Sequence, residues 1–226
     1  RCSSLVINLL LVTFLASMAP AQEALPRHDA VIPVPREGSW MKRHESMNER
    51  VKEGNVDLVF IGDSITQGWE GRGKGTWAKH YGDRNAVNLG IGGDRTQHVI
   101  WRLDNGNLEG IAPKAAVIMI DTNNSRDNTP EQIAQGVTKI VQQLRAKSPD
   151  KKILLLATFP RCADPSDPRR QVNEKSNAIV ANLADGENVF YLDIGQNFLG
   201  EGGTLSKEIM PDLLHLSEQG YAIWAE

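Results

Sequence analysis

The sequence has 226 residues, of which 40% are hydrophobic, and its formal net charge is −3. This size fits one domain with a sizeable core, and the slight acidic excess leaves no basic surplus for binding nucleic acid or an anionic lipid surface. Of the two cysteines, Cys2 falls in a segment that we expect to be removed. Cys162 alone cannot form an internal disulfide, so we interpret it as a structural residue.

The N-terminus has the pattern of an export signal. Arg1 is basic, Leu5–Leu15 is largely apolar, and the small residues Ala19–Ala21 precede Gln22. The apolar stretch is shorter than the ~20 residues that cross a bilayer, although an uncut N-terminal anchor is an alternative. We therefore predict a signal peptide over residues 1–21, an exported protein (periplasmic or secreted), and no integral membrane segment.

The following segments lead into the domain. Residues 22–39 contain several prolines and little periodicity, which indicates a linker or an extended surface arm. The polar stretch Trp40–Glu53 has apolar residues at helical spacing and predicts a first helix. We place the domain at residues 40–226.

Five apolar segments then alternate with helical patterns. The segments are rich in Val, Ile and Leu, as strands covered on both faces are. The predicted strands are Val56–Ile61, Ala86–Leu89, Ala115–Ile120, Ile153–Thr158 and Val189–Ile194. The predicted helices between them are Gly75–Tyr81, Thr96–Leu103, Pro130–Lys147 and Arg169–Ala184. This alternation predicts an α/β fold in which a parallel sheet lies between helices and the crossovers are right-handed.

Polar residues stand where the first three predicted strands end. Ser64 follows the first strand, Gly90–Asp94 the second, and Asn123 the third. Ligands bind beyond the carboxyl ends of the strands in open α/β sheets. We therefore expect these three loops to line one site.

Ser64, Asp212 and His215 supply the side chains of a catalytic triad. A serine hydroxyl is a weak nucleophile that needs an imidazole to accept its proton, and the imidazole needs a carboxylate to fix its tautomer. Taken singly, a helix cap at Asp63 or Ser64 and a solvated loop histidine are the ordinary alternatives. The remaining histidines have no comparable partner or metal-ligand spacing, so we predict no metal and no cofactor. They are His28, His44, His80 and His98.

Two of the loops can donate hydrogen bonds to an oxyanion. Gly90, Gly92 and Gly93 allow backbone N–H groups to approach a ligand, and Asn123 has a side-chain amide. Ordinary turns are the alternative interpretation of both loops. The glycine spacing does not fit a nucleotide-binding motif. The residues alone do not decide between Gly92 and Gly93.

Four blocks, in this order, resemble those of the SGNH (GDSL-type) hydrolases. The blocks are Asp57–Trp69, Asn88–Asp94, Thr122–Asn124 and Asp212–His215. The run Arg95–Gly106 is similar to the branch that contains the catalytic subunits of platelet-activating-factor acetylhydrolase IB. The likeness extends from about Trp40 to Trp224.

The resemblance implies a flavodoxin-like, three-layer α/β/α fold with a five-stranded parallel sheet in the order 2-1-3-4-5. It implies Ser64 as the nucleophile and Asp212 and His215 as the other triad members. It also implies an oxyanion hole formed by the N–H groups of Ser64 and Gly93 and by the side chain of Asn123. Some members of the branch form dimers, so the resemblance suggests a homodimer.

Asp121 departs from the family pattern, in which a glycine usually stands before Thr122. If that glycine has a positive φ, an aspartate adds strain on the order of 1 kcal/mol. If the carboxylate faces the oxyanion hole, it opposes the developing charge by roughly 3 kcal/mol. In either case we predict that Asp121→Gly raises activity. A carboxylate that points away from the hole, or that bonds with Ser125 or a neighbouring loop N–H, costs little.

From these features we expect a serine esterase that hydrolyses short-chain O-esters, mainly acetyl esters, of a carbohydrate or small molecule through an acyl-enzyme. A lysophospholipase or thioesterase is the alternative among enzymes. The alternative that is not an enzyme is a binding protein on the same scaffold, whose catalytic activity Asp121 impairs. Ser217 is the expected cap of a last helix, which we expect to be truncated because the chain stops within about two turns of it.

Overall fold

The computed structural model describes residues 28–226, so the predicted signal peptide lies outside the described residues. A sheet of five parallel strands forms the centre of the fold. The strands are β1 Leu58–Gly62, β2 Ala86–Gly90, β3 Ala115–Met119, β4 Lys152–Leu156 and β5 Val189–Leu192. Their order is β2-β1-β3-β4-β5, which confirms the predicted 2-1-3-4-5 topology.

Helices connect and cover the strands. They are α1 Ser39–Lys52, α2 Ser64–Gln67, α3 Lys74–Tyr81, α4 Thr96–Asp104, α5 Pro130–Lys147, α6 Pro168–Val180 and α7 Glu218–Ala225. The α5 helix has its predicted bounds because Thr129 accepts a hydrogen bond from the Gln132 N–H and Pro130 fits the first turn. Ser217 caps α7 by accepting the Gly220 N–H. The expected longer last helix stays a prediction. Within residues 28–226, no helix is both long and apolar enough to span a bilayer.

Successive strand residues point to opposite faces of the sheet and form two apolar clusters. Val59 and Ile61 in β1 belong to one cluster, which includes buried residues of α1, α4 and α5. Phe60 belongs to the other cluster, together with Trp69 and Tyr221. The sheet therefore separates two layers of helices, as the three-layer α/β/α prediction requires.

The carboxyl ends of the central strands are in register. Gly62 of β1 pairs with Gly90 of β2 on one side and with Met119 of β3 on the other. The three loops that begin after these residues therefore leave the sheet at one edge. This register brings the predicted site residues that follow β1, β2 and β3 to the same end of the sheet.

The described part of the predicted arm packs against the domain. A short 3-10 turn spans Asp29–Val31, and Ala30 within it is fully buried. The Thr96 hydroxyl donates to the Ala30 carbonyl at 2.8 Å. Gly136 in α5 permits this approach, because a Cβ there would lie 2.8 Å from the Ala30 oxygen. From residue 28 onward, the arm is thus part of the packed structure.

Candidate active site

Ser64 lies at the first turn after β1. Asp63 caps the short helix α2 by accepting the Ile65 N–H at 2.9 Å, so the capping role falls to Asp63 and not to Ser64. Gly62 before it is required for close packing, because a Cβ would lie 2.4 Å from the Met119 carbonyl oxygen. The Ser64 N–H has no hydrogen-bond partner among residues 28–226. Both the hydroxyl and the N–H of Ser64 are therefore available for chemistry.

The fold brings Ser64, His215 and Asp212 together. His215 Nε2 lies 2.9 Å from Ser64 Oγ, although the two residues are 151 positions apart. On the other side of the ring, His215 Nδ1 lies 2.7 Å from Asp212 Oδ2. A proton on Nδ1 directed at the carboxylate leaves Nε2 free to accept the serine proton. The three predicted residues thus form a hydrogen-bonded chain with the geometry of a Ser-His-Asp triad.

The Asp212 carboxylate also shapes the turn that holds His215. Asp212 Oδ1 accepts the N–H of Leu214 at 3.2 Å and the N–H of His215 at 2.7 Å. Burial raises the pKa of Asp212, but hydrogen bonds from the ring and backbone of His215 outweigh burial and lower that pKa to about 2. Asp212 is therefore ionised at any pH at which an imidazole can act as a base.

The turn contains a residue in an unfavourable backbone conformation. Leu213 has a φ of 61°, in the left-handed region that costs a residue with a Cβ about 1–2 kcal/mol. The Cys162 N–H donates to the Leu213 carbonyl at 2.8 Å and so ties this turn to the loop after β4.

The structure distinguishes Gly92 from Gly93. The Gly92 N–H donates to Gln67 Oε1 at 2.7 Å. Gly93 has a φ of 74°, and its N–H has no hydrogen-bond partner within the described part of the chain. This difference favours Gly93 as the oxyanion donor, a choice that the residues alone left open.

Asn123 lies beside Asp63, next to the nucleophile. Its side-chain amide donates to the Asp94 carbonyl at 2.8 Å and more weakly to Asp63 Oδ2 at 3.3 Å. Burial raises the pKa of Asp63 to about 7, against the Ile65 N–H that lowers it. The long bond to Asp63 is the one that a substrate oxygen can replace, since catalytic hydrogen bonds often tighten only in the complex.

A buried ion pair that the sequence analysis did not identify anchors the Gly-rich loop. Asp94 accepts hydrogen bonds from Arg102 Nε at 2.9 Å and from Trp40 Nε1 at 2.6 Å, and both charged side chains are almost fully buried. Burial raises the pKa of Asp94, against the attraction of Arg102. Removal of either charge would leave the other buried and unpaired, at a cost of about 3–5 kcal/mol. The loop is therefore held rigidly against α1 and α4.

Asp121 has a strained backbone conformation, and its carboxylate binds a side chain of α6. Its φ is 148°, in the range that favours glycine. Its Oδ2 accepts the Ser176 hydroxyl of α6 at 3.1 Å. Burial raises the pKa of Asp121 to about 7, although hydrogen bonds with the hydroxyls of Thr158 and Ser176 lower the pKa and so offset part of this effect. The structure therefore shows the positive φ that was expected to cause strain. The carboxylate bonds with Ser176 in α6, which is the arrangement expected to cost little in catalysis.

Within residues 28–226, no group of three or more His, Cys, Asp or Glu side chains could hold a metal ion. The absence of a metal site stays a prediction from the sequence.

Comparison with known proteins connects this geometry to a family. Residues 60–223 match the model of the GDSL-like lipase/acylhydrolase family. The platelet-activating factor acetylhydrolase IB subunit alpha1 of Pongo abelii is 38% identical over 204 residues, which are 90% of this chain and 85% of that protein. The alpha2 subunit of Rattus norvegicus is 40% identical over 184 residues, which are 81% of this chain and 79% of that protein.

A solved structure shows the same fold at lower sequence identity. It is a catalytic mutant of an acetylxylan esterase from Geobacillus stearothermophilus, with a TM-score of 0.61 and 19% identity, and the match covers 76% of this chain and 91% of that chain. The resemblance drawn from the four sequence blocks is thereby confirmed. The chain belongs to the GDSL-like lipase/acylhydrolase family.

Proposed function

We propose that this protein is a serine esterase that hydrolyses acetyl and other short-chain O-esters through an acyl-enzyme on Ser64. The observation that carries the proposal is the 2.9 Å contact between His215 Nε2 and Ser64 Oγ, with Asp212 on the far side of the ring. The ester hydrolysis typical of the family needs this arrangement.

The mechanism follows from the positions of these groups. His215 removes the Ser64 proton as Oγ attacks the ester carbonyl, and the bond from the carbonyl carbon to the alcohol oxygen then breaks as His215 returns the proton to that oxygen. Water, deprotonated by His215, attacks the acyl-enzyme, and the acid leaves as Ser64 recovers its proton. Asp212 stabilises the imidazolium in both halves.

Three donors surround the carbonyl oxygen in this proposal. They are the N–H groups of Ser64 and Gly93, which have no partner among residues 28–226, and the amide of Asn123, whose bond to Asp63 is long at 3.3 Å. Donors that are fixed before the reaction lower the barrier because little reorganisation is needed when charge develops.

A short acyl group and a carbohydrate or small-molecule alcohol fit the site best. Cavities of about 420 Å³ beside Trp69 and about 690 Å³ beside Phe60 occur in the described part of the chain, and neither is lined by Ser64 or His215. The relatives named above are acetylhydrolases, and a fold neighbour is an acetylxylan esterase. An exported enzyme meets acetylated polysaccharides, and export itself remains part of the proposal.

Two alternatives to a short-chain esterase can be distinguished by the substrate series described below. A lysophospholipase or thioesterase would prefer long acyl chains or thioesters, and the relatives' name, which refers to a lipid mediator, favours testing this option. An impaired binding protein was suggested by Asp121, but that carboxylate bonds to Ser176 in α6. A homodimer stays a proposal from the family resemblance.

The experiment is a substrate series on the purified protein. We expect p-nitrophenyl acetate and acetylated xylo-oligosaccharides to be hydrolysed faster than butyrate, octanoate or lysophospholipid esters. Ser64→Ala should abolish turnover, whereas Ser46→Ala, which removes an exposed hydroxyl on α1, should not change it. Turnover that survives in Ser64→Ala would overturn the esterase mechanism, and a preference for octanoate would overturn the short-chain assignment.

A further inference from the structure

The N-terminal arm reaches the Gly-rich loop of the candidate site. Besides Thr96, which binds Ala30, the α5 residue Lys139 holds the arm by donating to the Val31 carbonyl at 2.8 Å. The arm then passes α4, where the Val34 N–H donates to the Gln97 carbonyl at 3.4 Å. Arg36 follows, so its position is fixed from the N-terminal side.

The same segment is fixed on its C-terminal side. The α1 helix begins at Ser39, and Trp40 at its start donates to the buried Asp94 carboxylate at 2.6 Å. The arm therefore has tertiary contacts both before and after Arg36. Such a segment can hold a side chain against a neighbouring loop at little further cost in conformational entropy.

Arg36 binds the peptide that carries the proposed Gly93 donor. Its Nη1 donates to the Gly92 carbonyl oxygen at 2.9 Å. That oxygen and the Gly93 N–H belong to one planar peptide unit. A charged donor on the oxygen of a peptide fixes the plane and increases the partial positive charge on the N–H at its other end, because hydrogen bonds polarise one another.

The guanidinium group also lies against Gly93 itself. A Cβ at position 93 would be 3.1 Å from Arg36 Nη1, and the positive φ of 74° disfavours any residue with a Cβ. Arg36 Nη1 is 3.6 Å from Asp94 Oδ1, and the arginine side chain is 39% exposed. The arginine is thus held between the loop and its buried anchor, and it remains partly open to solvent.

We propose that Arg36 is a positioning residue of the oxyanion hole, so that the N-terminal arm is a working part of the active site. This inference rests on the proposed esterase function. Arg36 orients the Gly92–Gly93 peptide and polarises its N–H, which then stabilises the oxyanion on the substrate.

Arg43 provides a matched control because it binds the same loop without serving a donor. Its Nε donates to the Gly90 carbonyl at 2.9 Å, and its guanidinium pairs with Glu70. The N–H of the peptide that begins at Gly90 is that of Ile91, which donates to the Gly62 carbonyl at 3.2 Å. Loss of Arg43 therefore removes a comparable contact to the loop but leaves the oxyanion peptide intact.

The test compares Arg36→Gln, Arg36→Lys and Arg43→Gln in full-length protein. We expect Arg36→Gln to lower kcat for p-nitrophenyl acetate roughly tenfold with KM nearly constant, which is less than the hundredfold or more expected for a lost donor. The rate of Ser64 phosphonylation by a fluorophosphonate should fall by a similar factor. Arg36→Lys should be intermediate, and Arg43→Gln should stay within about twofold of wild type in kcat.

One further readout, the amide resonance of Gly93, helps to separate the ways in which the inference can fail. The amide resonance of Gly93 should shift in Arg36→Gln and not in Arg43→Gln, whether or not ester turnover is detected. An unchanged kcat in a folded Arg36→Gln variant, or equal losses in Arg36→Gln and Arg43→Gln, would overturn the role of Arg36. If Arg36→Gln does not fold, equal kcat values for Arg36→Lys and wild type would overturn it. A wild-type protein without ester turnover would instead overturn the proposed function.

Discussion

The most informative perturbation outside the triad is the removal of the buried charge at Asp121. The Asp121 side chain is almost fully buried, and its pKa is raised from 3.8 to about 7 by that burial. In the unfolded chain the same carboxyl is ionised above about pH 4. Between these values the folded state binds one more proton than the unfolded state, so this group makes the protein less stable as the pH rises towards 7.

The size of the effect follows from the two pKa values. Integrated from pH 5 to pH 8, the extra proton corresponds to a loss of roughly 2 to 3 kcal/mol in the free energy of unfolding. Asp121→Asn removes this dependence and keeps a group that can bond with Ser176, which is 3.1 Å away. Asp121→Gly removes the dependence and also relieves the strain at a φ of 148°, which costs on the order of 1–3 kcal/mol.

The assay is urea unfolding of wild type, Asp121→Asn and Asp121→Gly at pH 5 and pH 8. We expect both variants to gain stability relative to wild type between the two pH values, by roughly 2 to 3 kcal/mol. Asp121→Gly relieves the backbone strain but leaves the buried Ser176 hydroxyl without its partner, and since each effect is about 1–3 kcal/mol, the test depends on the pH dependence and not on the ranking of the two variants. The variants should change stability more than kcat, since the carboxylate points to α6. Variant and wild-type curves that stay parallel between pH 5 and pH 8 would refute the reasoning.

Three more predictions concern single residues. Asn123→Ala should lower kcat on the order of a hundredfold with a smaller change in KM, as measured with p-nitrophenyl acetate; a kcat within twofold of wild type would remove Asn123 from the oxyanion hole. Asp212→Asn should lower kcat on the order of a thousandfold or more at neutral pH, because the amide cannot fix the same imidazole tautomer; retained activity would show that another group orients His215. Lys151 is buried without a hydrogen-bond partner among residues 28–226, and burial lowers its pKa to about 8. Lys151→Met should therefore raise the free energy of unfolding by about 2 kcal/mol at pH 7. This gain should shrink above pH 8, because the lysine of the folded protein is then neutral. A loss of stability at pH 7 would contradict this account.

Strands and helices that are determined by a local pattern of apolar residues and caps could be predicted from the sequence. Strands such as β3 Ala115–Met119 are apolar throughout because both faces are covered, and α5 Pro130–Lys147 carries its own cap and first-turn proline. The topology inferred from these elements predicts that Ser64 and Asn123 lie at the same end of the sheet. The short α2, Ser64–Gln67, was missed because four residues show no helical period.

Other features depend on contacts between distant residues and have no local signal. The direction of the Asp121 carboxylate is set by Ser176, 55 positions away, and Arg36 reaches Gly92 across 56 positions. The choice of Gly93 over Gly92 depends on Gln67, which occupies the Gly92 N–H. A sequence pattern can name the residue types of such a site, but tertiary packing decides which hydrogen-bonding groups remain free.

The buried pair formed by Asp94 and Arg102 was missed for a related reason. Their spacing of eight residues resembles many solvent-exposed pairs, and only burial on both sides gives the contact its structural importance. The arm was interpreted as a linker or an extended surface arm because its prolines and lack of period are typical of such segments. Its burial at Ala30 depends on the absence of a side chain at Gly136, which sequence spacing does not reveal.

The central claim is that the Ser64 hydroxyl is activated by His215 and attacks acyl carbon. The most direct measurement is mass spectrometry of the intact protein and its peptides after reaction with a fluorophosphonate. We expect one adduct, on the peptide that contains Ser64, formed much more slowly in His215→Ala and absent from Ser64→Ala. A wild-type protein that hydrolyses acetyl esters while Ser64 stays unmodified would contradict the claim.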